Sequence, residues 1–123
     1  MTARKNPHTR EVDMAFKVLF VAHAPDADKE KHRSVIETGM YHLFSVVVRD
    51  QKEALQVSSD FVKTEGIDVI LLCPGFTHND VAAIAKSAGN GVAVSVARGD
   101  GPSGRIAAAA RKREGYRSKR MKD

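Results

Sequence analysis

The chain has 123 residues, of which 42% are hydrophobic, and a formal net charge of +5. This length and composition predict one soluble domain with a core of modest size. No apolar run approaches the roughly 18 residues of a membrane span, and the N-terminal segment lacks the apolar stretch of a secretory signal. The lone Cys73 excludes an internal disulfide. Together these features predict a cytoplasmic protein that makes no contact with a membrane.

The excess positive charge is confined to the C-terminal end. Residues 111–123 contain seven Lys or Arg and two acidic residues, whereas residues 1–110 contain 13 of each sign. A basic tail is more often a solvated helix end than a nucleic-acid site. The chain also lacks a nucleic-acid motif with interleaved aromatic residues, so we expect at most weak nucleic-acid contact through the tail. We divide the chain into a flexible N-terminal extension (residues 1–13), a single α/β domain (14–116) and a basic C-terminal tail (117–123).

Four apolar runs predict the strands of the domain. They span residues 16–22, 43–48, 69–73 and 92–97. Each run is short, rich in β-branched residues and nearly continuous rather than alternating. This pattern is typical of parallel strands that are buried on both faces.

The segments that connect these runs predict helices. The first connection predicts a short helix that begins at Asp28, contains Val35 and Ile36, and ends at Gly39. In the next two connections apolar residues recur at helical spacing before a glycine, Gly66 or Gly89. The periodic residues are Ala54, Leu55, Ser58, Phe61, Val62, Val81, Ile84, Ala85 and Ala88.

Two capping residues are predicted for the later helices. Thr77 stands three residues before Asp80, which is a capping-box arrangement. Ser103 is the predicted N-cap of a last helix that contains Ile106, Ala109 and Ala110.

The order of these elements, βαβαβαβα, predicts an α/β fold. We expect a small parallel four-stranded sheet with helices on both faces. Right-handed crossovers limit the topologies, and the flavodoxin-like strand order 2-1-3-4 is favoured.

A glycine-rich segment, Gly99-Asp100-Gly101-Pro102-Ser103-Gly104, matches the dinucleotide-binding fingerprint in an unusual place. A dinucleotide site needs this turn after the first strand, with an acidic residue about 20 positions further on. Here the turn follows the last predicted strand, which argues against NAD and identifies no cofactor. It suits a small anion bound by backbone N–H groups at a helix N-terminus.

The loops at the carboxyl ends of the predicted strands contain the candidate binding residues. Ligands of open α/β sheets bind at this edge. Two arginines there can make bidentate contacts with a carboxylate or phosphate. The same glycines also suit a plain strand-to-helix turn with solvated arginines. The candidate ligand-binding residues are His23, Thr77, Arg98, Gly99, Asp100, Gly101, Ser103, Gly104 and Arg105.

Cys73 and His78 are the candidate catalytic residues. A cysteine near a helix N-terminus can act as a nucleophile, with a histidine as its base. A cysteine that ends an apolar strand more often serves as a small buried hydrophobic residue. His23 and His78, with Asp26, Asp28 or Asp100, lack the close ligand spacing of a metal site, so we predict no metal.

Three stretches of the chain resemble a family of small bacterial proteins of about 100 residues whose domain has no assigned function. They are residues 16–25, residues 73–78 (Cys-Pro-Gly-Phe-Thr-His) and residues 97–105, which end in Arg-Gly-Asp-Gly-Pro-Ser-Gly-Arg. The resemblance covers roughly Ala15 to Tyr116. It implies a compact α/β domain, and it implies no activity, cofactor or catalytic residue. The N-terminal extension and the basic tail depart from the compact form of this family.

These observations favour a protein that binds a small phosphorylated or carboxylated ligand at the carboxyl ends of its strands. They assign no reaction. The alternative is a non-catalytic assembly or regulatory module that buries one edge of its sheet in a homo-oligomer.

Overall fold

A computed structural model describes residues 15–99 and 101–116, which form one five-stranded sheet and three helices. The predicted N-terminal extension, the basic tail and Asp100 lie outside the described residues. No helix in the described part of the chain is long and apolar enough to cross a membrane. In chain order the elements are β1 (Phe16–His23), β2 (Arg33–Glu37), β3 (Tyr41–Val48), α1 (Gln51–Glu65), β4 (Val69–Leu72), α2 (His78–Ala88), β5 (Ala93–Val96) and α3 (Gly101–Arg113).

The sheet is mixed, with the strand order β2-β3-β1-β4-β5. Strands β3, β1, β4 and β5 are parallel, and β2 pairs antiparallel with β3. The α/β class is therefore confirmed, but the prediction of a purely parallel four-stranded sheet is wrong. The strand order differs from the predicted one because an additional strand occupies the edge.

This additional strand, β2, replaces the helix predicted in the first connection. Val35 pairs with Phe44 and Ile36 pairs with Leu43, so the two β-branched residues point to opposite faces of the sheet. A tight turn joins β2 to β3, in which Thr38 Oγ1 accepts hydrogen bonds from the amides of Met40 and Tyr41. The hairpin pairs backbone groups of β3 that would otherwise lie at the sheet edge.

Helices α1 and α2 contact each other and cover one face of the sheet. Alternation along β1 places Leu19 and Val21 on this covered face, where both are fully buried. Their neighbours in the core are Val46, Val48, Ala54, Val57, Ile67, Ile70, Leu72, Phe76 and Ile84. A shared core of this kind fixes the two helices against the central strands.

The predicted ends of α1 and α2 are confirmed. Gly66 follows α1 with φ of 68°, the left-handed conformation that favours glycine. Thr77 caps α2 in a full capping box: its Oγ1 accepts from Asp80 N at 3.0 Å, and Asp80 Oδ2 accepts from Thr77 N at 3.1 Å.

Helices do not cover both faces of the sheet within the described residues. Helix α3 buries none of its residues, and Ile106 is 71% exposed. The helix expected in the first connection, which would have covered the second face, is strand β2 instead. Helix α3 also begins at Gly101, so Ser103 lies inside its first turn and is not the predicted N-cap.

Candidate functional site

A cavity of about 300 Å³ opens at the carboxyl edge of the sheet. It lies where β1, β3 and β4 end, next to the first turns of α1 and α2. Parallel strands and the helices that follow them bring their loops to this edge. The cavity is lined by Ala22, His23, Pro25, Arg49, Asp50, Gln51, Cys73, Pro74, Gly75, Asp80, Arg111 and Tyr116.

His23 is the last residue of β1 and forms part of the cavity wall. Its ring stacks on Phe76, with ring centroids 4.1 Å apart and planes inclined by 25°. Phe76 is buried in the core, so this contact anchors the imidazole to the rigid part of the domain. His23 is therefore one predicted site residue that does lie at the cavity.

The loop after β4 closes tightly against His23 because residue 75 is glycine. A Cβ on Gly75 would lie 3.2 Å from His23 Nδ1 and 3.6 Å from Cys73 Sγ. The Cys73 amide donates to Val21 O at 3.2 Å, which holds this residue beside β1. The structure thus brings His23 and Cys73 together around Gly75.

His78 and Thr77 do not line the cavity. Both are exposed at the start of α2, and the Thr77 hydroxyl is used by the capping box. The predicted Cys73–His78 pairing is therefore absent from the cavity wall, where His23 is the histidine near Cys73.

The first turns of α1 and α2 supply polar lining groups. Asp50 is the N-cap of α1, and its Oδ1 accepts from Glu53 N at 3.0 Å. Gln51 Nε2 donates to Asp80 O at 3.1 Å, which links the two helices. Gln51 Oε1 is buried, and it has no hydrogen-bond partner among the described residues.

Two arginines contribute positive charge to the cavity. Arg49 is half exposed and its Nη2 lies 3.6 Å from Glu53 Oε2. Arg111 comes from α3, as the chain passes over the edge of the sheet toward Tyr116. Asp50 and Asp80 are the acidic lining residues, and each accepts a backbone N–H bond at a helix N-terminus.

Six polar lining residues were not predicted as site residues from the sequence: Arg49, Asp50, Gln51, Asp80, Arg111 and Tyr116. A signal existed for the first three, because residues 49–51 follow an apolar run that ends at the same edge of the sheet as the other loops. Asp80 was predicted only as part of the capping box on α2. No local pattern indicated Arg111 or Tyr116. Their position depends on the path of α3.

The described residues of the glycine-rich segment, Gly99 and 101–104, are absent from the cavity lining, and Gly99 packs against the neighbouring loop. A Cβ on Gly99 would contact Pro74 Cβ at 3.5 Å, and one on Gly104 would collide with the Gly99 carbonyl oxygen. Gly101 has a φ of 51°, which favours glycine. Arg98, Ser103 and Arg105 are exposed and are not part of the lining.

The loop after β1 is ordered by Asp28. Its Oδ1 accepts from Glu30 N at 3.0 Å, and its own amide donates to His32 Nδ1 at 2.9 Å. The Glu30 amide lowers the pKa of Asp28, because the hydrogen bond favours the ionised carboxylate.

Within residues 15–99 and 101–116, no group of three or more His, Cys, Asp or Glu side chains could hold a metal ion.

Comparison with known proteins places the chain in a family. No curated protein and no solved structure matches it. A family described as "Family of unknown function (DUF6506)" matches residues 16–112. The match covers the whole sheet and nearly all of α3, so this chain belongs to the family of unknown function DUF6506.

Proposed function

We propose that this protein binds a small molecule carrying a carboxylate or phosphate group in the cavity at the carboxyl edge of its sheet. The observation that carries the proposal is the convergence of two helix N-termini and two arginines, Arg49 and Arg111, on one cavity. The proposed anion site lies one strand away from the glycine-rich segment that the sequence favoured.

Electrostatics support an anion here. The first turns of α1 and α2 place the positive ends of two helix dipoles at this edge of the sheet. Asp50 and Asp80 each direct one carboxylate oxygen to a backbone amide. Arg49 and Arg111 then supply the charge for bidentate contacts with a carboxylate or phosphate.

The size and lining of the cavity support a small ligand with an apolar part. A volume of about 300 Å³ is at the lower end of the range for small-molecule sites, which mostly have apolar walls and a few polar groups. Ala22, Pro25 and Pro74 provide such a wall, and Gln51 is one of its polar lining residues. His23 and Cys73 are two lining residues whose side chains can take part in acid–base or nucleophilic chemistry.

Thermal unfolding of the full chain with inorganic phosphate, sulfate and small dicarboxylates tests this proposal. A ligand at ten times its Kd stabilises the folded state by about 1.4 kcal/mol, which raises the Tm by several degrees in a domain of this size. We expect at least one of these anions to produce such a shift. No shift with any of them at millimolar concentrations would contradict the proposal.

Two arginine variants locate the anion. Arg111→Gln should remove most of the Tm shift, since the variant loses a lining charge. Arg105→Gln is the matched control, because Arg105 lies on the same helix outside the lining. A shift that Arg105→Gln abolishes and Arg111→Gln leaves intact would place the anion at the glycine-rich segment instead.

A further inference from the structure

The face of the sheet opposite helices α1 and α2 has no charged strand residue. Alternation and strand register place fourteen strand residues on it, and eleven of these are apolar or aromatic while three are serine. We call this surface the open face. It consists of Phe16, Val18, Phe20, Ala22, Ser34, Ile36, Tyr41, Leu43, Ser45, Val47, Val69, Leu71, Ala93 and Ser95.

No helix of the described residues packs on the open face. Helices α1 and α2 share a core with the opposite face, and α3 buries none of its residues. Exposure on the open face rises from 6% at central Val18 to 50% at Phe16 and 60% at Ile36. Phe16 and Tyr41 form an exposed aromatic pair at one end, with ring centroids 5.8 Å apart. Exposed aromatic residues of this kind often dominate the energetics of protein interfaces.

We propose that the open face binds the open face of a second copy of this chain. The remaining segments of the chain are poorly suited to cover it. Residues 1–14 and 117–123 contain ten charged residues but only five from the hydrophobic class, namely Met1, Ala3, Val12, Met14 and Met121. An amphipathic covering helix needs a continuous apolar stripe, which these segments lack.

Self-association also fits the uncharged character of the surface. A two-fold interface brings each residue close to copies of its own neighbours, so a charged patch would repel itself. The centre of a protein interface is typically depleted of charged residues and enriched in aromatic ones. Two such sheet faces pack about 10 Å apart, with interdigitated side chains.

The dimensions agree with the apolar centre of an interface. The five strands contain 29 residues, which at about 4.8 Å between strands and about 3.3 Å per residue give a face of roughly 460 Å². A standard interface buries about 800 Å² per partner. Met40 is 81% exposed at the turn beside the aromatic pair and can extend the contact. In such a dimer the nearly continuous apolar strands are buried on both faces, as their sequence pattern predicts.

Light scattering of the full chain over a wide concentration range, with matched variants, tests the proposed dimer. We expect a mass of twice the 13.4 kDa chain that falls to the monomer value on dilution. Ile36→Lys should raise the dissociation constant by about a hundredfold, because two-fold symmetry buries two lysines in each interface. Val35→Lys is the control, since Val35 is 50% exposed on the same strand but points to the other face.

Three outcomes would overturn the proposal: a monomer at every concentration, a dimer that Ile36→Lys leaves intact, or a dimer that Val35→Lys disrupts equally. Phe16→Lys gives a second test at a position distant from β2, and circular dichroism shows whether each variant remains folded. The open face shares only Ala22 with the cavity lining and contains neither Arg49 nor Arg111, so failure of the dimer leaves the proposed ligand site untouched.

Discussion

Two glycine-containing loops leave the carboxyl edge of the sheet from neighbouring strands, and their roles differ. The loop after β4 contains Gly75 and forms a wall of the cavity beside His23. The loop after β5 contains Gly99 and packs its backbone against Pro74 and Gly104. Strand β4 lies next to β1, where the strand order reverses: β2 and β3 lie on one side of β1, and β4 and β5 lie on the other. Strand β5 is at the edge of the sheet. The position of a strand in the sheet therefore decides whether the loop after it reaches the cavity. The number of glycines in the loop does not decide this.

The largest expected loss of stability follows substitution of Gly104, which packs closely against the loop after β5. Gly104→Ala places a Cβ against the Gly99 carbonyl oxygen, and relief requires a backbone shift. We expect the free energy of unfolding to fall by about 1–3 kcal/mol, measured by urea denaturation. Gly91→Ala is the control, because its Cβ meets no atom within 4 Å. Equal stability of the two variants would show that the loop after β5 does not depend on close packing.

A smaller loss of stability is expected on substitution of Thr77, which we predicted from the sequence to be a ligand-binding residue. Thr77→Ala removes the side-chain half of the capping box on α2 and should cost about 1 kcal/mol. Thr77→Ser keeps the hydroxyl and should restore most of that loss. Since Thr77 lies outside the lining, neither variant should change the Tm shift that a bound anion produces. An anion response lost in Thr77→Ala and kept in Thr77→Ser would return this residue to the binding site.

The third expected change is a local shift of the His23 ring in the cavity wall, caused by substitution of Gly75. Gly75→Ala requires the His23 ring to move by a few tenths of an ångström, because the new Cβ would lie 3.2 Å from Nδ1. Gly99→Ala is the matched change in the other loop, where the nearest contact of 3.5 Å is ordinary. We expect the His23 imidazole resonances to shift in Gly75→Ala and not in Gly99→Ala. Stability should change by less than about 1 kcal/mol, since the lower entropy of the unfolded chain offsets the crowding. Identical His23 spectra would show that residue 75 does not set the position of the ring.

Much of the fold could be predicted from the sequence, because several local signals agreed. The run around Leu19 and the periodic residues before Gly66 reflect burial on one side of the sheet, where packing and pattern coincide. Strand β2 could not be predicted in the same way. Val35 and Ile36 are adjacent apolar residues, and a pair has neither a period of two nor one of 3.6. Pairing with β3 determines their conformation, and this is a long-range effect.

The candidate site was only partly predictable. His23 and Cys73 end apolar strands, so their position at the carboxyl edge follows from chain order. Arg111 reaches the cavity only because α3 passes over that edge, and neither the helical pattern nor the charge of the segment indicates this path. The glycine-rich segment is ambiguous from the sequence, because close backbone packing needs the same residue that close approach to a phosphate needs.

The smallest expected effect distinguishes the two interpretations of Ser103. If Ser103 were the N-cap of α3, Ser103→Ala would cost about 1 kcal/mol. In the structure it is exposed in the first turn of a helix that begins at Gly101, and alanine has the higher helix propensity there. We therefore expect Ser103→Ala to be neutral or to stabilise the protein by a few tenths of a kcal/mol. Denaturant titration beside Thr77→Ala makes the comparison direct. Both positions were predicted to be caps, and the Thr77 side chain does accept the capping hydrogen bond from Asp80 N. A loss at Ser103 as large as that at Thr77 would mean that α3 begins at Gly104, three residues after Gly101, and that the loop after β5 is correspondingly longer.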